Sequence, residues 1–190
     1  MDSLPASHPC LTLTDIWKKF VFAYENLHAD GVILMTRYGK GNHHLRHPDF
    51  RKIWQELNRR KAVVFVHPTH SISTELVSKS LPQPMFDYPH ETGRTAIDLI
   101  TSNMFRDYAS DCKIILSHAG GTLPMLVGRT AGLLASSPFG TKSDKEIMEE
   151  ASWFYFDTAL SSSPGQLAAL QMLAKPDHFF FWQRFPKCAE

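Results

Sequence analysis

The sequence predicts an α/β fold built on a parallel sheet, and three observations predict it. Helical and strand hydrophobic periods alternate from one end of the chain to the other. The strand-like runs are short and continuously apolar, the pattern of parallel strands covered on both faces. No linker interrupts the 190 residues, whose apolar content of 43% suits about one domain.

The elements follow in order. Ile16, Phe20, Tyr24 and Leu27 fall on one face of a helix spanning Leu13 to Leu27, and Gly31 to Met35 is the first strand. Gly39 and Gly41 then open a loop. Phe50, Ile53, Trp54 and Leu57 have helical spacing behind Pro48, with basic residues 59–61 at the negative end of that helix. Ala62 to Val66 is the second strand. From Pro68 to Glu91 there is no sustained period, and Pro82, Pro84 and Pro89 predict an extended loop. Ala96, Ile97 and Ile100 restore a helix, Lys113 to Leu116 a strand, and Leu123 to Leu134 a helix starting near Pro124. Ala135 to Asp144 is a second loop and Trp153 to Phe156 an aromatic strand. Ser163 caps a helix with Pro164 in its first turn, and His178 to Trp182 is the last strand. Five strands, each preceded by a helix, suit either an open doubly wound sheet or part of an eight-stranded barrel.

Composition narrows the functional classes. Twenty Lys plus Arg against nineteen Asp plus Glu leave a net charge of +1, with no long-range field for nucleic acid or anionic lipid. No apolar run approaches the roughly 20 residues that span a bilayer. The opening MDSLPASHPC lacks a basic segment followed by an apolar one, so a cytoplasmic location is expected. Cys10, Cys112 and Cys188 have no CxxC spacing and read as idle or buried thiols.

In both candidate folds ligands bind at the carboxyl ends of the strands, and ionisable residues stand there. His67 follows the second strand and His118 the third, Asp157 ends the fourth, and Arg184 comes just after the fifth. Ala119, Gly120 and Gly121 after His118 allow close backbone approach to a ligand, or a tight turn into the next helix with no ligand at all. His43, His44 and His47 form a second cluster where no helix would align them, so metal binding is not expected there.

Five segments carry a resemblance: ADGVILMTRYG from Ala29, HPDFRKIWQELNRRKAVVFVHPT ending at Thr69, YPHETGRTAIDLI from Tyr88, SHAGGTLPMLVGR from Ser117 and FYFDTALSSSP from Phe154. Together they resemble the amidohydrolase-related metal-dependent decarboxylases, a family that includes aminocarboxymuconate semialdehyde decarboxylases and, closer in wording, 6-methylsalicylate decarboxylases. The resemblance implies a (β/α)8 TIM-type barrel, of which residues 1–190 would form one partial domain of about five parallel strands, lacking the N-terminal strands. It implies His67 as a metal ligand, His118 as the catalytic histidine, Arg129 as a substrate-carboxylate arginine, and a divalent metal, zinc, as cofactor. The implied partner is a small aromatic carboxylic acid; the two unpaired edges that five units of such a barrel would leave predict a homo-oligomer or a full-length relative as protein partner.

Two departures from the family pattern matter. No His-x-His pair occurs in the chain, and Arg184 stands where the resemblance implies an aspartate ligand. Catalytic zinc normally takes three protein ligands. A guanidinium about 4 Å from a dication is repelled by about 8 kcal/mol at an effective dielectric of about 20. The expectation is a carboxy-lyase family member, truncated and inactive as this chain, that binds no stoichiometric zinc at neutral pH. The alternative is a non-catalytic remnant that binds an aromatic carboxylate, with Arg184 replacing the metal's charge, or a related subunit.

Overall fold

The computed structural model describes residues 13–39, 43–73 and 75–180; Cys10, Cys188, Arg184 and the end of the fifth expected strand at Trp182 lie outside them. The chain begins with α1 (Leu13–Asn26), β1 (Gly31–Met35) and a small antiparallel pair, β2 (Arg37–Tyr38) with β3 (His43–His44). A 3-10 turn, Pro48–Phe50, leads into α2 (Arg51–Arg59), then β4 (Val63–His67), α3 (Gln83–Thr101), α4 (Met104–Tyr108) and β5 (Lys113–Leu116). A second 3-10 turn, His118–Gly120, precedes α5 (Leu123–Ala135), α6 (Asp144–Ala151), β6 (Tyr155–Asp157), α7 (Pro164–Leu173) and β7 (Phe179–Phe180).

The main sheet has five parallel strands in the order β1-β4-β5-β6-β7. Spatial order equals chain order, and this decides between the two candidate architectures. A doubly wound sheet reverses direction at a switch point, whereas right-handed crossovers that never reverse place every helix on the same face. The sheet is an arc of a (β/α) barrel, and among the described residues β1 and β7 are its two outer edges.

That winding sets which side chains are buried. Leu34, Val64, Val66, Ile114, Leu116 and Phe156 point to the helical layer and are buried. There they meet Ile53, Trp54 and Leu57 of α2, Leu99 and Ile100 of α3, and Leu123 and Val127 of α5, each fully buried side chain contributing about 1.5–3 kcal/mol. The intervening residues face the concave side. Ile33 is 66% exposed and Phe180 48% exposed, so the expectation that the apolar runs are covered on both faces is corrected. Neighbouring strands fill the interior of a closed barrel, and a five-stranded arc leaves that side open.

The long loop expected from Pro68 to Glu91 is also corrected: α3 begins at Gln83. Pro84 sits in the first turn, where its missing amide has no partner to lose. Pro89 lies inside the helix and forgoes one bond, but Thr92, Thr95, Ala96 and Leu99 bury a face behind it. The helix survives because packing outweighs that loss. Three further elements escaped the periodic reading: the β2–β3 pair, α4, and α6, which opens on a capping box between Ser143 and Glu146. Ser163 does precede α7, yet its hydroxyl bonds the Gln166 side chain at 2.8 Å rather than a backbone amide.

No described helix is long and apolar enough to cross a membrane. Cys112 is buried, and burial, with Asp111 beside it, pushes its thiol up to about 12. At about pH 8, where a free thiol reacts readily, a thiol reagent is expected to leave Cys112 unlabelled in a folded Cys10→Ser/Cys188→Ser chain and to label it in urea. Equal labelling rates in the two conditions would contradict this placement.

Candidate active site

The carboxyl ends of β4, β5 and β6 converge on one rim. Residue alternation along β4 puts Val63, Phe65 and His67 on the concave face, so the ring before His67 shares its side of the sheet. The His67 backbone is tied down by the Thr36 amide, which donates to its carbonyl at 3.1 Å. Its Nδ1 lies 2.8 Å from the Pro68 carbonyl oxygen, a contact that requires the proton on that nitrogen. Nε2 is then the nitrogen left to face a ligand.

His118 is presented by an unusual turn. His118, Ala119, Gly120 and Gly121 all have positive φ, at 57°, 54°, 73° and 60°. Left-handed backbone is costly for residues with a Cβ, so the surroundings must enforce it. The enforcement comes from Asp157, whose Oδ1 accepts the His118 amide at 2.9 Å and the Ala159 amide at 2.9 Å. A second brace comes from α3, where the Pro89 carbonyl accepts the Thr122 amide at 3.0 Å. The strand-end aspartate thus acts as the brace that aims the strand-end histidine.

The result brings His67 and His118 together with ring centroids 5.8 Å apart and planes at 67°. Tyr88 of α3 stands edge-on to His67 at 6.2 Å, its hydroxyl pushed above the usual tyrosine range by burial. His67 and His118 border a cavity of about 640 Å³ whose other walls include Ile33, Phe65, Ile115, Asp157, Leu160 and Phe180. The pocket is apolar with a few polar groups at one end, the usual composition of a small-molecule site. Arg129 is not among its walls; it is exposed on α5. Arg184 falls outside the described residues.

Of the residues gathered at this rim, His67, His118 and Asp157 were legible as strand ends. Phe65 was recoverable from the period-two alternation that carries His67. Tyr88 and Leu160 were not, since their approach to the rim depends on how α3 and the segment after β6 pack.

The rim does not assemble a metal site of the implied kind. Among the described residues, three His, Cys, Asp or Glu donor atoms lie within 4.8 Å of one another only at His43, His47 and Asp49. His67, His118 and Asp157 form no such group, and Asp157 is already engaged by two amides. Catalytic zinc asks for three protein ligands, so these residues do not fit it. No helix aligns His43 and His47; the β3 strand and the 3-10 turn bring them together instead.

Comparison with known proteins agrees with this fold. A family model described as amidohydrolase matches residues 14–175. A 6-methylsalicylic acid decarboxylase of Penicillium expansum is 55% identical over 173 residues, covering 90% of this chain and 53% of the relative. One from Aspergillus aculeatus is 52% identical over 169 residues, covering 87% and 51%. The chain therefore spans about half the length of the curated relatives it matches. Among solved structures, a dihydroxybenzoic acid decarboxylase from Polaromonas, with bound manganese and the inhibitor 2-nitroresorcinol, superposes with a TM-score of 0.75 at 18% identity. That match covers 93% of this chain and 56% of the other and shows a shared barrel fold.

Proposed function

The chain belongs to the amidohydrolase family, and from that premise we propose that it forms the His67–His118 rim of a non-oxidative aromatic carboxy-lyase site of the 6-methylsalicylate type. The observation that carries this reading is the pair of imidazoles, 5.8 Å apart, at the polar end of an otherwise apolar cavity. Phe65, Ile115 and Phe180 offer surfaces for a single aromatic ring, and the two imidazoles face its carboxylate and ortho hydroxyl. Decarboxylation breaks the bond from ring carbon to carboxylate, releases CO2 and places a proton on the ring carbon. His118, held by Asp157, is the group positioned to deliver that proton.

The same residues do not hold the divalent metal that the family resemblance implies, and no step is derived through it. Acting alone, the chain binds an aromatic acid without turning it over. Arg129, exposed on α5, is read as reaching the site of another subunit rather than its own. Calorimetric titration of the purified chain with 6-methylsalicylate is expected to give saturable heat that His118→Ala weakens by about tenfold, the loss of roughly one charge-assisted hydrogen bond. The absence of heat at millimolar ligand would sink the binding reading. Chelator-sensitive CO2 release by this chain alone would sink the claim that it does not turn over.

A further inference from the structure

We propose that His43, His47 and Asp49 form a second metal site, separate from the barrel rim, that takes a divalent transition ion of the zinc, cobalt or nickel kind. The two imidazole rings are stacked at 3.8 Å with planes only 12° apart. One carboxylate oxygen, Asp49 Oδ2, lies 3.2 Å from His47 Nδ1 and 3.6 Å from His43 Nδ1. A tetrahedral ion with bonds of about 2.1 Å separates its ligands by about 3.4 Å, so these spacings are already those of one coordination face. Binding one ion requires the two imidazoles to turn out of their stack until both ring nitrogens face a common point.

The local electrostatics ask for a cation there. His47 Nδ1 lies 3.4 Å from the Asp49 amide and 3.2 Å from Asp49 Oδ2. Imidazole nitrogen and carboxylate oxygen at that distance are held together by a shared positive centre, a proton or a metal ion. The backbone that carries them is anchored. Leu45 and Phe50 are buried on either side, the Leu45 carbonyl accepts Trp54 Nε1 at 2.9 Å, and the His47 amide donates to the His44 carbonyl at 2.9 Å. Two nitrogens and one carboxylate oxygen favour a borderline transition ion over magnesium or calcium, which prefer all-oxygen shells. Three protein donors leave a position open toward solvent, since His43 and Asp49 are about two-fifths exposed. The shortage of ligands argued from the missing His-x-His pair concerns the rim and does not extend to this cluster. An ion here would clip the loop 43–49 between β3 and α2, independently of any reaction at the rim.

The test uses the full chain freed of metal by chelation and titrated with cobalt(II) chloride, followed by visible absorption and, with zinc chloride, by calorimetry. One ion per chain is expected. His43→Ala, His47→Ala and Asp49→Asn should each weaken binding by more than about tenfold, the lower end of what losing even an outer-shell partner costs, while His67→Ala leaves it unchanged. Cobalt-induced shifts of the His43 and His47 ring protons in the unaltered chain make the outcome independent of whether the variants fold. No uptake at millimolar cobalt would mean that the cluster shares a proton only, and would overturn the site. Binding abolished by His67→Ala and indifferent to His43→Ala, or shifts confined to other histidines, would overturn it equally.

Discussion

Gly121→Ala is expected to destabilise the chain by about 3 kcal/mol or more, among the largest effects available to one methyl group. Gly121 has φ of 60° and ψ of −121°, a region open essentially to glycine alone. An added Cβ would overlap the Pro89 carbonyl oxygen and lie 2.8 Å from its carbon, and both are backbone atoms of α3 that cannot rotate away. Relieving the overlap would pull α3 from the turn and break the Thr122-to-Pro89 hydrogen bond that braces it. Gly128→Ala, in the exposed part of α5 where a Cβ meets open space, is the matched control and should stabilise by about 0.5–1 kcal/mol. Urea unfolding of the two variants decides the matter; equal midpoints would refute the close approach of α3 to the His118 turn. Because that turn aims His118, the same substitution should also abolish ligand heat where the protein still folds.

Glu150→Ala should cost about 3–5 kcal/mol, the range for removing one partner of a buried ion pair. The Lys142 and Glu150 side chains are 1% and 0% exposed, with Nζ and Oε2 2.6 Å apart. Lys142 also donates to the Ile100 carbonyl at the end of α3, so the pair fastens the segment before α6 to that helix. Arg106 reaches the other carboxylate oxygen at 2.6 Å from α4. Removing the carboxylate strands a buried ammonium, whereas Lys142→Met/Glu150→Leu removes both charges together and should recover most of the loss. A single variant as stable as the parent in denaturant titration would show that Lys142 finds water instead.

The ion pair illustrates where periodic reading runs out. Lys142 and Glu150 lie eight residues apart in the chain, and nothing in their spacing distinguishes them from solvated charges. The same holds for α6, a short helix whose signal was its capping box rather than a hydrophobic stripe. Prolines misled differently. Pro84 and Pro89 predict a loop on local grounds, and α3 forms because a buried face on its later turns outweighs one missing hydrogen bond. His67 and His118 were visible because strands that bind ligands do so at their carboxyl ends, and that rule needs no knowledge of packing. His43 and His47 were visible as a cluster, but the approach of Asp49 to both was not, because it depends on a strand pair and a 3-10 turn too short to leave a period.

By itself, the amino-acid order determined the number of parallel strands, the residues at their ends, the family resemblance and the absence of a His-x-His pair, since each is carried by local period or by residue identity. Tertiary structure alone decided that the strands run in unreversed order, that their concave face is open, and that Asp157 accepts the His118 amide and so braces its turn. The physical reason is that period specifies which residues share a face, while only pairing and helix docking specify what that face meets.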